Sequence, residues 1–115
     1  MDGNSAALQE PTIESVYEAA ERARKENKPE VALKGFRAAI ARQSDHISSH
    51  LGYQKLLQHQ RKEPQLVAEY EALHKKHGAP WTCLLYGRLL HDAAKEEELY
   101  LKKDRLEAAL KQILE

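Results

Sequence analysis

All six histidines fall between His46 and His91, and two pairs have the spacing of a helical metal clasp. His46 and His50 are four residues apart, and His74 and His77 three, so on a helix either pair shares one face. A structural zinc site needs four nitrogen or sulfur ligands, and a catalytic one needs three plus water. Cys83 is the only cysteine and no His-Glu-x-x-His run occurs, so the ligands fall short. The histidines read as surface residues, with no metal and no cofactor expected. Nucleophilic chemistry fares no better. Cys83 lies in an apolar run, Trp81 to Leu85, and reads as a small buried hydrophobe, whereas a reactive thiol needs an electropositive, partly exposed place. Ser15, Ser44, Ser48 and Ser49 stand in no Gly-x-Ser-x-Gly setting. Glu69 and Glu71 are spaced to diverge on a helix, and the five glycines are too scattered for a phosphate loop. The expectation is a protein without catalytic activity.

Charge narrows the partners. Eighteen basic side chains balance 18 acidic ones, but unevenly. From His46 to His91 six Lys or Arg stand against three Glu, so the middle is electropositive, the more so below about pH 6.5 as histidines protonate. From Asp92 to Glu115 seven acids stand against five bases. No run of five Lys or Arg marks a nucleic-acid arm. No apolar run approaches the roughly 20 residues that span a bilayer, so no membrane partner is expected. The start, MDGNSAALQE, lacks the basic and apolar regions of a secretory signal. One cysteine excludes an internal disulfide and leans towards a reducing compartment, the cytoplasm. The length of 115 residues suits one domain.

The elements that must position these residues read as helices throughout. Residues 1–10 are polar, small and aperiodic, the pattern of a disordered tail. Thr12 is placed to cap a helix from Ile13, whose stripe is Ile13, Val16, Ala20 and Ala23. The stretch Glu26 to Pro29 ends it, and Pro29 suits the first turn of a second helix to Arg42. Ser44 or Asp45 is the expected cap of a third, running to about Gln60. Its apolar residues Ile47, Leu51, Tyr53, Leu56 and Leu57 spread around the wheel, as in a helix buried on several sides. Pro64 opens a fourth, with Leu66, Val67, Tyr70 and Leu73 inward, and Gly78 ends it. A fifth is expected from Pro80 to Leu90, and a sixth after Asp92 with Leu99, Leu106, Leu110 and Ile113 as its stripe. Nothing reads as a strand.

Ala32, Phe36 and Ala39 share one helical face, and Leu66, Tyr70 and Leu73 return it further on, each at the same offset. That offset is a period of about 34 residues, which marks stacked helical hairpins. The Ala-x-x-x-Phe-x-x-Ala run of the second helix resembles the tetratricopeptide repeat family. The first helix places Val16, Ala19, Ala20 and Ala23 where that family has its apolar and small residues. Repeats fall at about 13–46, 47–79 and 80–115, in one domain over 11–115. Repeat two departs at Gln54, where the family prefers a small residue, and its second helix carries larger side chains. Repeat three matches through Cys83, Tyr86, Gly87 and Leu90, with Gly87 expected to allow close helix contact. It departs at Lys103, where an aromatic is usual, and a polar capping helix would explain that. The resemblance extends over all three repeats. It implies an all-α fold: a right-handed superhelix of three stacked antiparallel hairpins, an α-solenoid.

Such arrays hold peptides in a hollow lined by the first helix of each hairpin. Carried onto this chain, the resemblance implies a groove of Tyr17, Glu21, Arg24 and Lys25, then Leu51, Lys55, Gln58 and His59, then Trp81, Leu84, Arg88 and His91. Lys55 and Arg88 would stand at matching places in successive repeats and bind an acidic or carboxylate-ended peptide. Trp81 could be a contact in that groove, but reads better as a staple of the turn between repeats. The expected function is therefore a non-catalytic module that binds a protein or peptide, and helix one lacks the Asn of the chaperone-tail clamp. The alternative is structural self-assembly, a homodimer formed through residues 96–115. Leu99, Leu106 and Ile113 recur every seven residues with Leu110 beside them, a coiled-coil seam, although Lys102 and Lys103 interrupt it and favour a cap over the end of the array.

Overall fold

The computed structural model describes residues 12–114, and every regular element among them is an α-helix. These are α1 (Ile13–Lys25), α2 (Pro29–Arg42), α3 (Ile47–His59), α4 (Glu63–His77) and α5 (Pro80–Leu114). The tail expected at 1–10 lies outside the described residues. Two compact units divide between Lys62 and Glu63, so α3 belongs to the first and α4 to the second. No described helix is long and apolar enough to cross a membrane.

Local chemistry sets the helix ends. The Thr12 hydroxyl accepts from Ser15 N at 3.1 Å and so satisfies one donor that the first turn of α1 leaves open. At the other end Asn27 turns left-handed, with φ 62°. Its N–H bonds Arg24 O at 3.1 Å, and Lys28 N bonds Ala23 O at 2.8 Å, the paired bonds of a Schellman ending. Pro29 then opens α2, where its missing N–H is harmless. The ending recurs on α3: Arg61 has φ 63°, its N–H bonds Gln58 O at 3.0 Å, and Lys62 N bonds Leu57 O at 3.0 Å. Each of these positions lies one full period beyond its counterpart, as do the helix starts Ile13 and Ile47 and the ends Lys25 and His59. The period seen in the second helices therefore governs the first helices and their turns as well.

In the first unit α1 and α2 pack as a hairpin, and α3 lies on α2 and touches α1. Ala20, Ala23, Ala32, Phe36 and Ala39 are buried in it. Small residues permit close approach. A Cβ added at Gly35 would stand 2.7 Å from that of Ala20, and one at Gly52 would overlap the Phe36 ring. Tyr53 and Gln54 are buried beside them, and the Arg37 guanidinium lies 5.9 Å from the centre of the Tyr53 ring. Gln54 is fully enclosed, and no described buried side-chain nitrogen or oxygen is left unbonded. The position thus takes a polar residue instead of a small one because its amide is satisfied.

The second unit is the pair α4 and α5. Leu66 and Tyr70 are buried on α4, and Thr82, Leu85 and Leu89 on α5. Gly78, at φ 56°, closes α4, and its N–H bonds His74 O at 2.7 Å.

Four expectations need correction. Helices five and six are one: α5 runs unbroken through Asp92, so there is no third hairpin turn. Asp92, expected outside a helix, sits 3.6 Å from Arg88 one turn back, and the following Ala93, Ala94, Lys95 and Glu96 are strong helix formers with no Gly or Pro to stop them. The cap of α3 is His46, not Ser44 or Asp45. Cys83 is exposed, not buried. Gly87 has open space where a Cβ would go, so it accommodates no neighbouring helix.

Candidate functional site

The end of α1 and the end of α3 enclose a cavity of about 380 Å³ lined by Arg24, Asn27, Pro29, Lys55, Leu56, His59 and Gln60. Three of the expected groove residues, Arg24, Lys55 and His59, meet there. Its wall holds two permanent cations, an imidazole and two amides, and no carboxylate. The C-termini of α1 and α3 each bring a partial negative charge of about half a unit, and the N-terminus of α2 at Pro29 brings an opposite half. Lys55, together with the part of the Arg24 charge that its ion pair with Glu21 leaves over, outweighs that balance, so the wall is on balance electropositive.

Glu21 fixes Arg24 from outside the cavity. The guanidinium donates to Glu21 Oε1 at 2.7 Å and to Oε2 at 3.3 Å, and this bond raises the Arg24 pKa. Arg24 is thereby held in orientation, though part of its charge is answered. Tyr17, Glu21 and Lys25 line a second, more open hollow of about 500 Å³ with Glu18, Arg22 and Glu26, where acids and bases alternate. Tyr17 is half-buried, its ring 6.2 Å from Phe36 and 5.6 Å from His46, so it packs between helices more than it faces outward. Burial first, then the Glu21 carboxylate, raises its phenol above the ordinary range. Leu51 and Gln58 are half-buried on α3. Asn27, Pro29, Leu56 and Gln60 were not among the expected groove residues. Asn27 and Gln60 belong to the two helix endings, and the repeated turn is the signal that finds them.

The remaining candidates stand on α5 of the second unit. Leu84 and His91 are exposed, and Arg88 leans towards Asp92. Trp81 lies 5.2 Å from the His77 ring across the short α4–α5 turn, the geometry of a staple within a hairpin.

Three of the six histidines, His46, His50 and His74, are more embedded than a surface reading allows, while His59, His77 and His91 are exposed. His50 is 2% exposed, and its Nε2 lies 2.7 Å from Ser44 O. His74 Nδ1 lies 2.9 Å from the buried Thr82 hydroxyl, which itself donates to Ala79 O at 2.8 Å. His46 Nε2 lies 3.0 Å from Glu14 Oε1, and its Nδ1 2.6 Å from Ser49 Oγ. With Nε2 donating to the carboxylate, Nδ1 accepts from the serine. The order acid–imidazole–serine is that of a catalytic triad, with access reversed. The Ser49 hydroxyl is wholly enclosed, while the Glu14 carboxylate is in solvent. The chain of bonds ties the start of α1 to the start of α3. Among the described residues no three of His, Cys, Asp or Glu are grouped as a metal site.

No family model, no curated protein and no solved structure matches this chain.

Proposed function

We propose that the chain is a non-catalytic interaction module of the tetratricopeptide type, and that its first unit holds an acidic peptide side chain or terminus between α1 and α3. The recurrence of the starts, ends and Schellman turns of α1 and α3 at one period supports the family. The close approach of Ala20 to Gly35 supports it too, since such hairpins depend on small residues at the crossing.

One observation carries the ligand class: the wall formed by Arg24, Lys55 and His59 contains no acid. Its size limits what enters. A cavity of about 380 Å³ lies at the small end of ligand pockets, enough for one carboxylate-bearing side chain or a chain end rather than a folded surface. Lys55 supplies three rotatable donors and Arg24 the guanidinium donors that Glu21 does not take, so a carboxylate there gains charge-assisted bonds.

The test is an NMR titration of the full chain with a Glu-rich peptide and with its Lys-rich counterpart. The acidic peptide should shift the amide signals of Asn27, Lys55 and His59, and the basic one should leave them in place. Equal shifts from both peptides, or none from the acidic one, would sink the assignment.

A further inference from the structure

From Ala93 to Leu114 every residue of α5 is exposed, although the helix carries Leu99, Leu106, Leu110 and Ile113 along one side. These four are between 57% and 77% exposed. Solvated helices rarely show such an apolar stripe without an occupant for it. The cap reading fails on the same observation, because a helix closing the end of an array would bury this stripe.

The spacing identifies the seam. With Leu99, Leu106 and Ile113 at the d positions of a heptad, the a positions are Glu96, Lys103 and Leu110. The six positions are symmetric about the middle of the segment. In a parallel pair, Lys103 would face Lys103 of the partner subunit, Glu96 would face the partner's Glu96, and the acidic run Glu96 to Glu98 would lie beside its own copy. Antiparallel pairing removes each conflict. Glu96 then faces the partner's Ile113, Leu99 faces the partner's Leu110, and Lys103 faces the partner's Leu106. The Lys103 ammonium reaches past that leucine to the partner's Glu107, with its stem lying on apolar surface. The acidic run comes to the end of the partner that carries Lys111.

We propose that α5 pairs with α5 of a second copy of this chain, antiparallel, over residues 96–113. The surface is separate from the cavity of the first unit and does not depend on it. Charge decides the orientation, and the exposed leucines supply the attraction. The seam from 96 to 113 covers about two and a half heptads, so association depends on concentration.

Sedimentation and cross-linking of the full chain test this. The mass should rise from 13.1 kDa towards double that value as concentration goes from micromolar to millimolar. Leu106→Lys should abolish the rise, and because the side chain is already 61% exposed, the units should stay folded. Orientation is read by disulfide formation in a Cys83→Ser background. Leu99→Cys mixed with Leu110→Cys should cross-link, and Leu99→Cys alone should not. A mass fixed at 13.1 kDa would overturn the proposal, as would a rise that survives Leu106→Lys or efficient self-linking of Leu99→Cys.

Discussion

Asn27 and Arg61 occupy matching places at the ends of α1 and α3 and adopt the same left-handed backbone, φ 62° and 63°. The conformation strains a side chain with a full Cβ, and Asn tolerates it better than Arg. Arg61→Gly should therefore stabilise the chain, by about 0.5–1 kcal/mol, and Asn27→Gly by less. Urea unfolding monitored by circular dichroism reads the difference, and a loss of stability in Arg61→Gly would contradict the strain.

The glycines make an internal contrast. Gly52→Ala drives a methyl into the Phe36 ring, and Gly35→Ala brings one to 2.7 Å from Ala20 Cβ. Each should destabilise by about 1–3 kcal/mol. Gly87→Ala meets open space on an exposed helix and should stabilise by up to about 1 kcal/mol. Thermal melts of the three variants should order themselves with Gly87→Ala highest.

The Glu14–His46–Ser49 chain gives a prediction of stability. Ser49→Ala removes a buried hydroxyl bonded at 2.6 Å and should cost about 1 kcal/mol, and His46→Ala more, because Ser49 is then left unsatisfied. A double-mutant cycle should find the two effects non-additive. Additive losses would mean that the contact is not energetic.

High pH should weaken the first unit. Tyr17 binds its proton more tightly folded than unfolded, because burial and Glu21 oppose the phenolate. Its contribution is intact below the unfolded value of about 10 and is lost as pH climbs through the raised folded one. Tyr17→Phe should flatten the fall in stability above about pH 10. An unchanged alkaline profile would show that Tyr17 is not responsible.

Sequence pattern revealed local structure well and long-range contacts poorly. The Thr12 cap, the Pro29 start, the Gly78 stop and the stripe of Ala32, Phe36 and Ala39 all rest on neighbours within a turn or two, and each is present. The bond from Glu14 to His46 joins residues far apart in the chain, and nothing in the spacing of either announces it. Asp92 misled because the same side chain caps a helix or pairs with a base four residues earlier, and Arg88 supplies that base. Cys83 misled because its run is apolar all round, so hydropathy alone did not say which side faces water. Of the residues around the first-unit cavity, Arg24, Lys55 and His59 were singled out through the family resemblance. Asn27 and Gln60 were not, because their place depends on a turn geometry that the residue types permit but do not dictate.

The proposed function requires that the first-unit cavity attract negative charge. A fluorescently labelled Glu-rich peptide should be titrated with the native chain and with Lys55→Glu, at low and at physiological salt. The native chain should bind, more weakly as salt screens the cations, and the variant should lose at least tenfold in affinity, about 1.4 kcal/mol. Equal Kd values for the two proteins would contradict it.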